Sequence, residues 1–365
     1  MNIILIILVF GVIIFFHELG HFIVAKINHI TVKEFSMGFG PKLFQFHKKE
    51  TQYTLRLIPL GGYCMMLSED DEENENDENS FEKKSIWARM AVVLAGPAMN
   101  FVIAFLFSMV IIHFCGSDPA IIGAVYNKDN IEKYQIENAE EYFNGVYPAE
   151  EAGISDGDQV LKIEGSTVKN FRELQIYLQI YGDGSPIDLT LEKEDGTVYD
   201  TTVHPAKTPD GYKIGIMSVG YQLPKNFGEL CKYSAYETRY CVKATFLSLK
   251  LIVTRQVSSD EVSGPVGVAK NMNDTFNEAA KSSVLDLFLN WMNYIVLLSA
   301  NLGVMNLLPI PGLDGGRFIF LLIEAVTRKK VPKDKENIVT LIGFVLVMLL
   351  MVVILFNDIK NVFFH

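Results

Sequence analysis

Four apolar runs divide this chain, at roughly 2–26, 91–114, 285–308 and 338–356. A helix rises about 1.5 Å per residue, so about 20 apolar residues cross a hydrocarbon layer about 30 Å thick. Each run therefore predicts a membrane span. The polar stretch between the second and third runs has a different rhythm. In VYPAEEAGISDGDQVLKIEGSTVKNFRELQIYL (146–178), a turn at Pro148 leads to a short helix near Glu150–Ala152, which Gly153 can cap. Asp156-Gly157-Asp158 marks a turn, Gln159–Ile163 a strand, Glu164-Gly165 a tight turn and Phe171–Leu178 an amphipathic helix. A strand at Ile187–Leu191 and a hairpin at Asp195-Gly196 follow. This predicts an inserted α+β domain over about 118–206. Residues 226–256 mix apolar positions with Lys232, Arg239, Lys243, Lys250 and Arg255, as in a helix lying at a membrane interface, within a helical linker over about 207–284. After the first run, Gln52–Met66 alternates up to Pro59 and then turns glycine-rich, which predicts a β-hairpin within about 38–66.

Composition agrees with a membrane protein: 49% of the 365 residues are hydrophobic, above the usual level for a soluble chain. The net charge is −11, much of it in SEDDEENENDENS (Ser68–Ser80), within a loop over about 68–82. That segment has no aliphatic or aromatic residue with which to bury a core and predicts a solvated, disordered loop. The charge pattern gives no footprint for nucleic acid. Cys64, Cys115, Cys231 and Cys241 show no metal or redox spacing. Lys and Arg mark the cytoplasmic ends of spans. They gather after the first run (Lys26, Lys33, Lys42, Lys48, Lys49, Arg56), before the second (Lys83, Lys84, Arg89), and between the third and fourth (Arg328, Lys329, Lys330, Lys333, Lys335). Those loops are expected in the cytoplasm, and the long middle domain outside.

Within the first run stands His17-Glu18-Leu19-Gly20-His21. Ionisable side chains in hydrocarbon are costly and mark function. Helical positions i and i+4 share a face, so both imidazoles can reach one zinc ion, with Glu18 as general base on an activated water. A secretory signal peptide would carry an earlier basic region, and no Lys or Arg precedes Lys26. Polar packing between helices is the other bland reading. Catalytic zinc usually has three protein ligands. The best third candidate is Asp314, in Asn306-Leu-Leu-Pro-Ile-Pro-Gly-Leu-Asp314-Gly-Gly316, where Pro309 and Pro311 break the third run. Irregular backbone at this depth is tolerated beside a water cavity or under protein cover. Asp314 as an N-cap and Asn306 as a packing amide remain open on these grounds.

The pairing of His17-Glu18-x-x-His21 with Asn306-x-x-Pro309-x-Pro311-x-x-Asp314-Gly315 resembles the site-2 protease family of intramembrane zinc metalloproteases, of the bacterial regulator-of-sigma-E protease type. Gly38-Phe39-Gly40-Pro41, Leu94-Ala95-Gly96-Pro97 with Asn100, and Gly264-Pro265-Val266-Gly267 agree with it. The middle domain resembles a PDZ domain of bacterial proteases. The resemblance implies a polytopic α-helical membrane protein of about four transmembrane helices, with a membrane-associated β-hairpin and one inserted α+β PDZ-like extracytoplasmic domain. Its protease core would be 1–114 and 285–365, with an LDG loop and helix at 309–327. It implies a multi-pass enzyme of a bacterial inner or plasma membrane, with zinc on His17, His21 and Asp314, Glu18 as catalytic base near the cytoplasmic leaflet, and Asn306 binding the substrate backbone. Implied partners are the lipid bilayer, single-pass transmembrane substrates such as anti-sigma factors or remnant signal peptides, and a peptide ligand of the PDZ-like domain. Substrate would add as a strand to the Gln52–Met66 edge. An inactive membrane PDZ scaffold and a metal transporter are the alternative classes.

Overall fold

The structure, a computed structural model, describes residues 2–67, 77–128, 143, 145–254 and 264–364. Most of the acidic stretch, residues 68–76, lies outside the described residues. The chain divides into two compact units. One comprises Met1–Ser108 with Thr245–His365, the other Met109–Ala244.

The first unit is built on long helices. They are α1 (Asn2–Ile27), α2 (Ile86–Cys115, which continues into the second unit), α6 (Pro265–Ser282), α7 (Val284–Leu307), α8 (Asp314–Thr327) and α9 (Lys333–Phe364). Among the described residues, Asn2–Ile27, Ile86–Cys115, Val284–Leu307 and Asp334–Lys360 are long and apolar enough to cross a membrane, as the four runs predicted. Two apolar clusters hold the helices. Val9, Ile13, Ile103, Met272, Phe276 and Ile295 form one; Ala25, Ile30, Val92, Val93 and Leu321 belong to the other. Two buried polar links reinforce them. Arg89 of α2 makes a two-pronged bond to Glu324 of α8, at 3.1 and 2.5 Å. Asp358 of α9 accepts from the amides of Gly264, Val266 and Gly267, where α6 begins.

Between α1 and α2 lie β1 (Val32–Lys48) and β2 (Thr51–Met66). The pairing begins at Val32, earlier than expected, because Val32 and Phe35 are buried against α1. Both strands fold double. Residues 34–37 pair with 62–65 on one side and with 52–55 on the other, while 44–48 pair with 51–55. The bends fall where Gly38 and Gly40 take positive φ, at 88° and 84°. Two strands thus yield a sheet four segments wide, whose inner segments are 34–37 and 52–55.

In the second unit, β4 (Gln159–Ile163), β5 (Ser166–Thr167), β6 (Ile187–Glu192) and β7 (Val198–Val203) form one antiparallel sheet in the order β5-β4-β6-β7. Ahead of it are β3 (Ile122–Val125) and the short α3 (Pro148–Glu151). The helix α4 (Phe171–Ile180) opens with a capping box: Asn170 accepts from the Glu173 amide, and Glu173 from the Lys169 amide. Val160, Ile163, Leu174, Ile187, Leu189 and Leu191 make the core. Residues 207–218, expected in a helical linker, belong instead to β8 (Ala206–Thr208), β9 (Gly211–Lys213) and β10 (Ile216–Ser218), and β10 pairs with β3. Strands of three residues carry too short a period to read, and they are fixed here by burial of Ala206 and Ile214. α5 (Phe227–Val253) follows, and its Arg239 grips the buried Glu173 at 2.7 Å. Among the described residues, no disulfide joins Cys64, Cys115, Cys231 or Cys241.

Candidate metal centre

One turn of α1 puts His17 and His21 on the same buried face, each 8% exposed. α2 crosses that face closely. A Cβ at Gly96 would overlap both imidazole rings, so only glycine leaves them room there. The carbonyl of Val92, one turn earlier, accepts from His21 Nδ1 at 2.8 Å. That bond places the ring proton on Nδ1 and turns the Nε2 lone pair inward. The Asn100 carboxamide lies against His17 Nδ1, its nitrogen at 3.1 Å and its oxygen buried without a partner.

The third donor arrives from the far end of the sequence. α7 ends at Leu307, its capping residue Leu308 is extended, and the Pro309–Leu313 turn leads into α8. Asp314 is the first residue of α8. The helix takes Leu313 as N-cap and has no side-chain capping bond, so the Asp314 carboxylate is free of that duty. Its buried Oδ2 has no hydrogen-bond donor. It stands 3.2 Å from His17 Nε2 and 3.4 Å from His21 Nε2, and the two Nε2 atoms are 3.3 Å apart. Among the described residues these three form a group able to hold a metal ion.

That near-equilateral triangle is a stringent test of fit. Four donors about 2.0–2.1 Å from a tetrahedral zinc ion are separated by about 3.3 Å. The two nitrogens and the orphan oxygen match one face of such a tetrahedron and leave a fourth corner open. Asn306, at the end of α7, sets its amide nitrogen 3.4 Å from His17 Nε2. Glu18 is half-buried, with Gly62 of β2 beside it: a Cβ on that glycine would come within 3.3 Å of Glu18 Cγ. Burial pushes the neighbouring Cys64 thiol up to about 12.

The structure thus gathers His17, His21 and Asp314, with Asn306 and Glu18 alongside. Two elements of the surroundings differ from the sequence reading. Asn100 touches the His17 ring, a contact that the sequence marked only as a motif residue. Gln52–Leu55 is an inner segment paired on both sides, whereas Gly62–Met66, beside Glu18, pairs with a strand on one side only among the described residues.

The model of peptidase family M50 matches residues 5–350. A Clostridium acetobutylicum chain, named among zinc metalloproteases, is 38% identical over 360 residues, covering 98% of this chain and 97% of that one. The zinc metalloprotease RasP of Geobacillus kaustophilus is 32% identical over 440 residues, covering 99% and 98%. The regulator of sigma-W protease RasP of Bacillus subtilis is 29% identical over 438 residues, covering 98% of each.

Proposed function

This chain belongs to peptidase family M50, and from that membership we propose how its residues hydrolyse a peptide bond inside a membrane. It is a zinc metalloprotease of the site-2 type, acting in regulated intramembrane proteolysis. The observation that carries the site assignment is the triangle of His17 Nε2, His21 Nε2 and Asp314 Oδ2, with sides of 3.2–3.4 Å. These three would hold the zinc ion. When bound, zinc lowers the pKa of a coordinated water and polarises a carbonyl. Glu18 takes the proton from the attacking water and passes it to the leaving amide nitrogen. Val92 fixes the His21 tautomer through its carbonyl. Half a revolution of the Asn100 amide would present its orphan oxygen to His17 Nδ1–H and free the His17 Nε2 lone pair for metal.

A transmembrane helix shields its peptide bonds, so substrate must be held extended and its freed backbone groups re-paired. The Gly62–Met66 edge, next to Glu18, supports docking by strand addition. The Asn306 amide, 3.4 Å from His17 Nε2, supports a role in bonding the substrate backbone. The substrates we assign are single-pass membrane proteins such as anti-sigma factors or remnant signal peptides, a class that the sigma-W role named for the Bacillus subtilis relative supports. The Lys and Arg clusters support a site toward the cytoplasmic leaflet of a bacterial membrane. In the PDZ-like unit, a groove of about 570 Å³ lined by Phe171, Gln175, Leu178, Ile187, Tyr212 and Ile214 is the candidate peptide site.

Glu18→Gln tests the core of this reading. The variant should retain stoichiometric zinc, read by elemental analysis, while cleavage of a reconstituted single-pass substrate falls at least about 100-fold, the scale of lost general-base catalysis. Cleavage at the parental rate would remove Glu18 from the chemistry.

A further inference from the structure

In the second unit, the strand β10 runs into an unusually apolar surface strap, Val219-Gly-Tyr-Gln-Leu-Pro-Lys-Asn-Phe227. Val219, Tyr221, Leu223 and Phe227 are 42, 64, 63 and 72% exposed. Four large apolar side chains open to solvent within nine residues are a concentration of exposed apolar surface of the sort that soluble surfaces avoid. The strap is also held in place. Gln222 exchanges two backbone bonds with Ser117, at 2.8 and 2.9 Å. Val219 donates to the Ile121 carbonyl at 3.1 Å. At its far end Asn226 and Glu229 cap the start of α5 reciprocally, Asn226 accepting from the Glu229 amide and Glu229 from the Lys225 amide.

Ser117 supplies the depth of this strap. It lies two residues beyond Cys115, where α2 ends. From Met90 to Cys115 the sequence has no Lys, Arg, Asp or Glu, a run of about 40 Å at ~1.5 Å per residue, close to the ~40–45 Å of a bilayer with its headgroups. Two extended residues reach at most about 7 Å, comparable with the thickness of one headgroup layer. Gln222 is therefore tied to the point where the chain leaves the membrane. Phe114, on the last turn of α2, is likewise half-exposed. Tyr, Leu, Phe and Lys225 are the residue types that favour the boundary between acyl chains and headgroups.

We propose that the strap Val219–Phe227 is a membrane-interface anchor, inserting Tyr221, Leu223 and Phe227 among the phospholipids that surround the exit of α2. The occupant is the lipid of the bilayer, argued from the bond between Gln222 and the span's end. The anchor stands independently of the zinc chemistry.

The experiment uses the full chain reconstituted in phosphatidylglycerol–phosphatidylethanolamine vesicles, with benzoylphenylalanine in place of Leu223 or Phe227 and, as control, of Val198, an exposed apolar residue of β7 (55%). After irradiation, mass spectrometry should find lipid adducts at 223 and 227 at least fivefold above those at 198. Equal yields at the three positions, or adducts to a second protein chain instead of lipid, would overturn the proposal. Tyr221→Trp provides a second measurement that spares the strap a bulky probe. Brominated phospholipids should remove at least half of the emission that it adds, and emission unaffected by them would equally refute the anchor.

Discussion

His17 and His21 sit one turn apart on the same helix, but their second ring nitrogens meet different partners. His21 Nδ1 has a backbone carbonyl, which cannot be removed by substitution. His17 Nδ1 depends on the Asn100 side chain. Partners of this kind fix the tautomer and typically contribute 10–100-fold to metal affinity. Asn100→Leu should therefore weaken zinc binding by about 10–100-fold, measured by chelator competition. Asn100→Asp, which keeps an acceptor on the same stem, should restore most of it. Equal losses in both variants would reduce Asn100 to packing. The histidines were legible because hydrocarbon makes any ionisable pair conspicuous, and Asp314 because two prolines break the apolar run ahead of it. The Asn100 contact was not, since it joins positions 83 residues apart and needs the crossing of α1 and α2 to be known.

At the scale of elements, the helix that begins with Asp314 is secured at its other end, where Glu324 meets Arg89 with side chains only 16 and 8% exposed. Removing one member of a buried ion pair leaves a charge with no partner and costs about 3–5 kcal/mol, whereas replacing both is often near neutral. Arg89→Met should destabilise the detergent-solubilised protein by about 3 kcal/mol in chemical unfolding, and the double variant Arg89→Met/Glu324→Met should recover most of that loss. If the double variant is no more stable than the single, the pair does not act as a unit. Long helices were readable from length and hydropathy alone. The doubled sheet was only half readable. Alternation in 52–57 announced a strand, but its neighbours on both sides depend on the bends near Gly38 and Gly40. The three-residue strands β8–β10 left no periodic trace.

For the molecule as a whole, the proposed zinc donors come from α1 and α8, which sequence places near opposite ends of the first unit. A ligand that binds only the folded form stabilises it by about 4 kcal/mol at a thousandfold excess over its dissociation constant. Zinc removal by chelation should therefore lower the unfolding temperature of this enzyme, and Glu18→Gln, which spares the donors, should show the same drop. A melting temperature indifferent to chelator would mean that α1 and α8 are held together without the metal. The four candidate spans and the family were accessible from the sequence. The proposed anchor of the middle unit was not, because the exposure of Tyr221 and Leu223 becomes visible only once Gln222 is paired with Ser117.

The distance along the chain between His21 and Asp314 also has a meaning in time. A ribosome adding about 5–20 residues per second reaches Asp314 roughly 15–60 s after His21. Through that interval the nascent chain already carries both histidines and Glu18 in the membrane, yet it lacks the third donor. On the proposed ligand set, the chain cannot cut its neighbours, or its own emerging spans, before Asp314 has been made.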